Sequence, residues 1–324
     1  MPTIDTRAAD SQSGMGCGPT KARLPSWFRN GAWVAWVVLA ILAMEFVGGP
    51  AYLVVVIVSG LVVHLLVDSR RAGRPAAADR ELLVMVALYA LVVALLSVAF
   101  RGFGTERMVG MFLSFGLALV IGVAGPVYYT VWVQHRPLAH LGLTWGDRRR
   151  TVLLALLFAG VQFSITLWSY DLPQLVDWVP LLFMALVVGV FESIFFRGFI
   201  QTRLQERWGD VPGVLAAAAA YGAYHVGYGM GISEMLFLTG LGVVYATAFA
   251  LTRSVVVLWP LLTPLGSVFA QLEAGDIELP WASIAGFADV LALMLVVLWL
   301  ARRRIRRRAQ GREPSRASDQ STRR

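Results

Sequence analysis

Apolar residues fill almost the whole chain in blocks of roughly 18 or more, divided by short polar, Gly- or Pro-bearing breaks. Blocks of that length predict membrane-spanning helices at about 32–47, 50–67, 82–100, 109–133, 151–170, 178–200, 211–227, 234–252, 255–272 and 282–301. Only "GGP" at 48–50 parts the first two, which predicts a tight helical hairpin. The short alternating segments of an outer-membrane barrel are absent. The expected fold is therefore all-α: a polytopic transmembrane bundle of about ten spans, with eight spans and a re-entrant pair as the alternative.

The polar breaks add an orientation. Arg residues collect in the N-terminal segment, the 68–81, 134–150 and 201–210 loops, at Arg253 and in the C-terminal tail. The intervening connections are poor in them. Since basic loops stay in the cytoplasm, both termini are expected there. Composition agrees with a membrane protein, because 57% hydrophobic and 15% charged residues are far from the balance of a soluble domain. The net charge of +8 is concentrated in loops and in "RRRIRRR" at 302–308. A cluster beside the last apolar run is expected to touch anionic lipid head groups, not nucleic acid. Cys17 is the single cysteine, so no intramolecular disulfide and no Cys-based metal site can form. The N-terminal segment lacks the short apolar core of a cleaved signal peptide. Every basic residue but Lys21 is Arg, and Ala, Val, Leu and Gly abound, which suggests a GC-rich bacterial genome. The expected location is a bacterial inner membrane.

Ionisable groups within spans are the candidates for chemistry, since burying charge in lipid costs a few kcal/mol. They are Glu45, His64, Glu192, His225 and Asp289, with Arg197 near a span end. Glu45 and His64 stand near the ends of their runs and are expected to snorkel or pair with neighbours. Asp289, alone in the last span, is expected to hydrogen-bond between helices. Glu192 is followed by Phe195, Phe196 and Phe199 at helical spacing, which surrounds a carboxylate with aromatic rings. Arg197 falls about 140° around an α-helix from Glu192, so it is expected to reach the head groups or clamp a neighbouring loop. His225 closes "AAAAAYGAYH", whose small residues allow close helix approach, with Tyr221 on its face. In "LWPLLTPLGS" Thr263 and Ser267 share a face, and Pro260 and Pro264 remove backbone donors.

The order "ESIFFRG", "YGAYH", "LWPLLTPLGS" resembles the CPBP family of intramembrane proteases, which includes the CAAX prenyl endopeptidases and bacterial Abi-type proteins. The family pattern is Glu-Glu-x-x-x-Arg, then aromatic-x-x-x-His, then His-x-x-x-Asn or Asp, and "LGLTW" resembles its lead-in. The resemblance covers about 140–272. It implies Glu192 and His225 as catalytic residues that activate water, with Arg197, Ser193, Tyr221, Thr263 and Ser267 in supporting positions. Three of these depart from the pattern: Ser193 replaces the second Glu, Thr263 the later His, and Ser267 the Asn or Asp.

The expected organisation is a polar, unstructured segment 1–30, a four-span region 31–133, the protease-like core 140–272, a last span 282–301 and an irregular basic tail 302–324. The expected function is an endopeptidase in which Glu192 activates water to cut a peptide or protein substrate near the cytoplasmic face. A family member that has lost catalysis and binds peptides or membrane proteins is the second reading, and a transporter the third. No cofactor is required. A divalent metal would find only Glu192 and His225 in the core, short of the three protein ligands of a catalytic zinc.

Overall fold

A computed structural model describes residues 26–44, 46–47, 49–67, 79–104, 107–169, 174–274 and 281–310. Among them every regular element is a helix, in the order α1 (Ser26–Ala43), α2 (Gly49–Val67), α3 (Asp79–Ser97), α4 (Met108–Tyr128), α5 (Arg148–Ser169), α6 (Leu175–Glu192), α7 (Thr202–Trp208), α8 (Asp210–Tyr224), α9 (Ile232–Thr252), α10 (Leu262–Ala274) and α11 (Ala282–Gln310). Three wider π-helical stretches extend these rods: Val98–Phe103 after α3, Tyr129–Val133 after α4, and Ser193–Gln201 between α6 and α7.

Each of the ten apolar runs contains a helix. Among the described residues six stretches are long and apolar enough to cross a membrane: Gly49–Val67, Arg80–Phe103, Met108–Val133, Trp178–Trp208, Ile232–Thr252 and Ser283–Arg308. With 15 and 13 residues, α8 and α10 are shorter than the ~20 residues a span needs. The run at 255–272 is not one helix. It opens with a single 3₁₀ turn, Val255–Val257, and turns α-helical only at Leu262, just after Pro260.

The bundle is a multi-pass membrane architecture with the α6–α7 rod at its centre. Burial of the apolar window is 72% for Trp178–Trp208 and 61% for α9, against 11% for α2, which places α2 on the outside. Outer helices turn Leu65, Leu66, Leu83 and Val109 outward, an apolar surface suited to lipid. The first two helices form the expected hairpin: the Tyr52 hydroxyl donates to Ala40 O at 2.9 Å and Trp36 Nε1 to Ser59 Oγ at 3.0 Å. Together they pack on α9, which pairs with α8, while α4, α10 and α11 pack on α6.

One end of the bundle is tied by polar contacts. Arg203, buried, donates to Phe199 O (3.2 Å), Thr130 Oγ1 (2.9 Å) and Gln134 Oε1 (2.8 Å). Arg136 pairs with Glu206 at 3.5 Å, and Arg253 with Asp210 at 3.2 Å. The basic connections 134–150 and 201–210 and Arg253 thus share one end with Glu81 at the start of α3, to which Gln134 donates.

Three expectations change. The basic cluster 302–308 continues α11 as helix to Gln310, so this part of the tail is regular, and residues 26–30 already belong to α1. Asp289 is exposed on α11 and makes no hydrogen bond among the described residues, because its position lies on the outward side of that helix. His64 is half-buried, while Glu45 lies outside the described residues.

Candidate active site

The centre of the site is the change of pitch after Glu192. From Ser193 to Gln201 the backbone is π-helical, and every residue of the stretch is buried. Its neighbour explains part of this course. The lead-in segment "LGLTW" crosses so close that a β-carbon on Gly198 would lie 2.3 Å from Leu141 O. Only glycine fits there. An i→i+5 helix brings the fifth residue over the first, whereas an α-helix turns it well aside. Arg197 therefore comes to the same side as Glu192, and both meet Tyr221. This corrects the expectation for Arg197: it neither reaches the head groups nor clamps a loop, and it is 2% exposed.

Glu192 is buried among Phe196, Tyr221 and Tyr224. Its Oε1 accepts a hydrogen bond from the Tyr224 hydroxyl, and its Oε2 accepts one from Tyr221 at 3.5 Å. A carboxylate removed from water needs such donors to stay charged. Tyr221 also presents its ring to the Arg197 guanidinium, centred 4.9 Å away. The carboxylate and the guanidinium are thus held on two sides of one tyrosine, with no ion pair between them.

His225 opens the 3₁₀ turn that ends α8. Its Nδ1 lies 2.9 Å from Tyr221 O. A carbonyl only accepts, so Nδ1 carries the proton and Nε2 keeps its lone pair. The ring centroid is 4.1 Å from that of Tyr224 and 5.2 Å from that of Tyr221. Glu192 and His225 make no direct hydrogen bond; Tyr224 touches both.

The third segment docks against α6 one turn before Glu192. Trp259 Nε1 donates to Leu186 O at 2.9 Å, and a β-carbon on Gly189 would meet Pro264 Cγ at 3.0 Å. Thr263 and Ser267 differ in what they offer. Ser267 Oγ donates to Thr263 O at 3.3 Å and so spends its proton on its own helix. Thr263 Oγ1 is buried without a hydrogen-bond partner, as are Ser193 Oγ and both terminal nitrogens of Arg197. Behind them the Tyr245 hydroxyl lies 3.2 Å from Gln162 Oε1 and 3.5 Å from Leu262 O.

The residue that reading the sequence missed is Tyr224. Its signal was available, since it stands directly before His225 in "YGAYH", but only the fold aims its hydroxyl at Glu192. Among the described residues no three His, Cys, Asp or Glu side chains converge. Glu192 and His225 alone fall one ligand short of a catalytic zinc, so the donor set among the described residues does not fit that metal.

Residues 173–261 match the family described as Type II CAAX prenyl endopeptidase Rce1-like. That segment holds Glu192, Ser193, Arg197, Tyr221 and His225, in agreement with the resemblance carried by the motifs; Thr263 and Ser267 lie just past its end. No curated protein and no solved structure gives a match.

Proposed function

We propose, from the Rce1-like domain at residues 173–261 and the intramembrane endopeptidase family it belongs to, that this chain cuts a peptide bond with water activated by Glu192. The observation that carries the reading is the cluster in which Tyr224 donates to Glu192 and packs on His225. Water held between Glu192 and the scissile carbonyl loses a proton to the carboxylate as its oxygen attacks carbon. The Tyr221 and Tyr224 hydroxyls aim the carboxylate. His225, with Nδ1–H tied to Tyr221 O, has Nε2 free to orient the water and then to relay the proton to the departing amine. The tetrahedral intermediate collapses, the C–N bond breaks, and an acid and an amine leave. A protease family implies a peptide or protein substrate, and a carboxylate at this depth implies one that enters from the membrane. The basic connections lie on the cytoplasmic side of a bacterial inner membrane, with both termini there and Arg302–Arg308 against anionic lipid.

A binding role without catalysis is favoured by one observation, the Ser267 hydroxyl's donation to Thr263 O on its own helix. A single experiment separates the two readings. The full chain is reconstituted in liposomes with a library of quenched, membrane-anchored peptides. Wild type cleaves some members, and Glu192→Gln and His225→Ala cleave none. A Glu192→Gln protein that cleaves at the wild-type rate refutes Glu192 as the base, and a wild type that cleaves no member leaves the binding role.

A further inference from the structure

Two buried arginines stand six residues apart on the central rod, and they differ in one respect. The terminal nitrogens of Arg203 are occupied by Phe199 O, Thr130 Oγ1 and Gln134 Oε1. That arginine is structural. Arg197 is as deeply buried, yet neither Nη1 nor Nη2 has a hydrogen-bond partner, and its cation rests only on the Tyr221 ring. Removing a guanidinium from water costs several kcal/mol unless its donors are met. A donor fork kept empty beside a carboxylate base is a site for an anion that is present only part of the time.

We infer that Arg197 is a catalytic residue of this chain, the cation that receives the oxyanion of the tetrahedral intermediate. The inference rests on the peptidase reading of Glu192. When the water oxygen bonds to the carbonyl carbon, the C=O electron pair moves onto oxygen and the water proton goes to Glu192. Arg197 donates hydrogen bonds to that oxygen and gives up no proton. When the C=O bond re-forms, the amine leaves with a proton and the fork empties again.

Three features support this role. The family pattern places a His and an Asn or Asp at the third motif, and here those positions are Thr263 and Ser267, neither able to carry positive charge. The Ser267 proton is already committed to Thr263 O. The π-helical stretch supplies the missing charge by bringing Arg197 to the Glu192 side, where both touch Tyr221 and form no ion pair. Ser193 and Thr263, whose hydroxyls are also buried and unpartnered, carry no charge to set against the oxyanion oxygen. A planar fork suits such an oxygen better than an ammonium does.

The test uses the full chain in liposomes and the best-cleaved peptide of the library. A contact made only in the transition state lowers kcat and leaves KM alone. Arg197→Gln is expected to lose about 10²–10³ in kcat with KM within about twofold, the scale of one lost oxyanion donor. A peptide carrying a tetrahedral phosphonate at the scissile position should lose affinity by the same factor as kcat/KM. If Arg197→Gln does not fold, Arg197→Lys carries the test, with phosphonate affinity and kcat/KM again falling in step. Wild-type kcat in either folded variant overturns the inference, as does phosphonate binding that stays at wild type while kcat falls. A loss confined to KM that vanishes when the peptide C-terminus is amidated also overturns it, since Arg197 would then read a substrate carboxylate. Should Glu192→Gln still cleave, or wild type cleave no peptide, the peptidase reading falls and takes this inference with it. A dead Glu192→Gln beside a fully active Arg197→Gln removes this inference alone.

Discussion

Gly198→Ala is the sharpest probe of how the site is built. The added methyl would lie 2.3 Å from Leu141 O, 3.1 Å from its carbonyl carbon and 3.4 Å from its Cα. All three are backbone atoms of a buried residue. They cannot swing aside as a side chain would, since Gly142 N is bonded to Ala139 O at 3.0 Å and Gly142 O accepts from Val255 N at 2.9 Å. Overpacking of a rigid neighbour costs about 3 kcal/mol, the upper end of its usual range. The helix preference for Ala over Gly returns up to ~1 kcal/mol. The net loss is then about 2 kcal/mol, which lowers Tm by roughly 4–8 °C at a few degrees per kcal/mol. Gly160→Ala on α5 is the matched control, because nothing lies within 4 Å of its added carbon. Only the propensity gain remains there, so its Tm should rise by roughly 2–4 °C. Thermal unfolding in detergent, followed by the fluorescence of the 11 tryptophans, reads both variants. A Gly198→Ala protein as stable as wild type, or one that moves with Gly160→Ala, refutes the claim that a fixed backbone contact sets the course of the π-helical stretch.

Two further outcomes follow from the same geometry. Tyr224→Phe removes the hydroxyl that donates to Glu192 and leaves a buried carboxylate with Tyr221 alone; it should lose about 1.5–3 kcal/mol, the worth of a hydrogen bond to a charged group, read as a lower Tm in the same assay. An unchanged Tm would mean that this bond does not form. His140 is held below the ordinary imidazole range by burial above all, with Arg136 and Arg203 adding to it against the pull of Glu206 and Glu81. Its 3.4 Å approach to Glu206 is therefore a contact of a neutral ring at neutral pH, with Nε2 accepting from Arg136. On acidification the unfolded chain takes up this proton first, so stability should drop as pH falls through about 6.5. Tm measured at pH 8 and pH 5.5 should fall more for wild type than for His140→Gln, and equal falls would remove His140 from the account.

Apolar run length determined the helices. A block too long to bury as a strand and too apolar for water has one stable form in lipid, with every backbone group bonded within its own segment. The sequence likewise singled out Glu192 and His225 as candidates, because a carboxylate and an imidazole inside such blocks have few bland uses; that Tyr224 touches both is a matter of packing. Run length could not say which rods lie at the centre, since the outer helices are as apolar as the buried ones. It also could not show that the 255–272 run is broken at its proline, or that α11 carries its arginines onward as helix. Pitch was the larger omission. A 3.6-residue period turns Arg197 away from Glu192, and only the close passage of Leu141 over Gly198, two segments nearly sixty residues apart, accompanies the wider turn that brings them to one side. The same is true of Tyr224 and Ser267: their hydroxyls are plain in the sequence, but what each donates to depends on which helix lies opposite, and that is a property of packing.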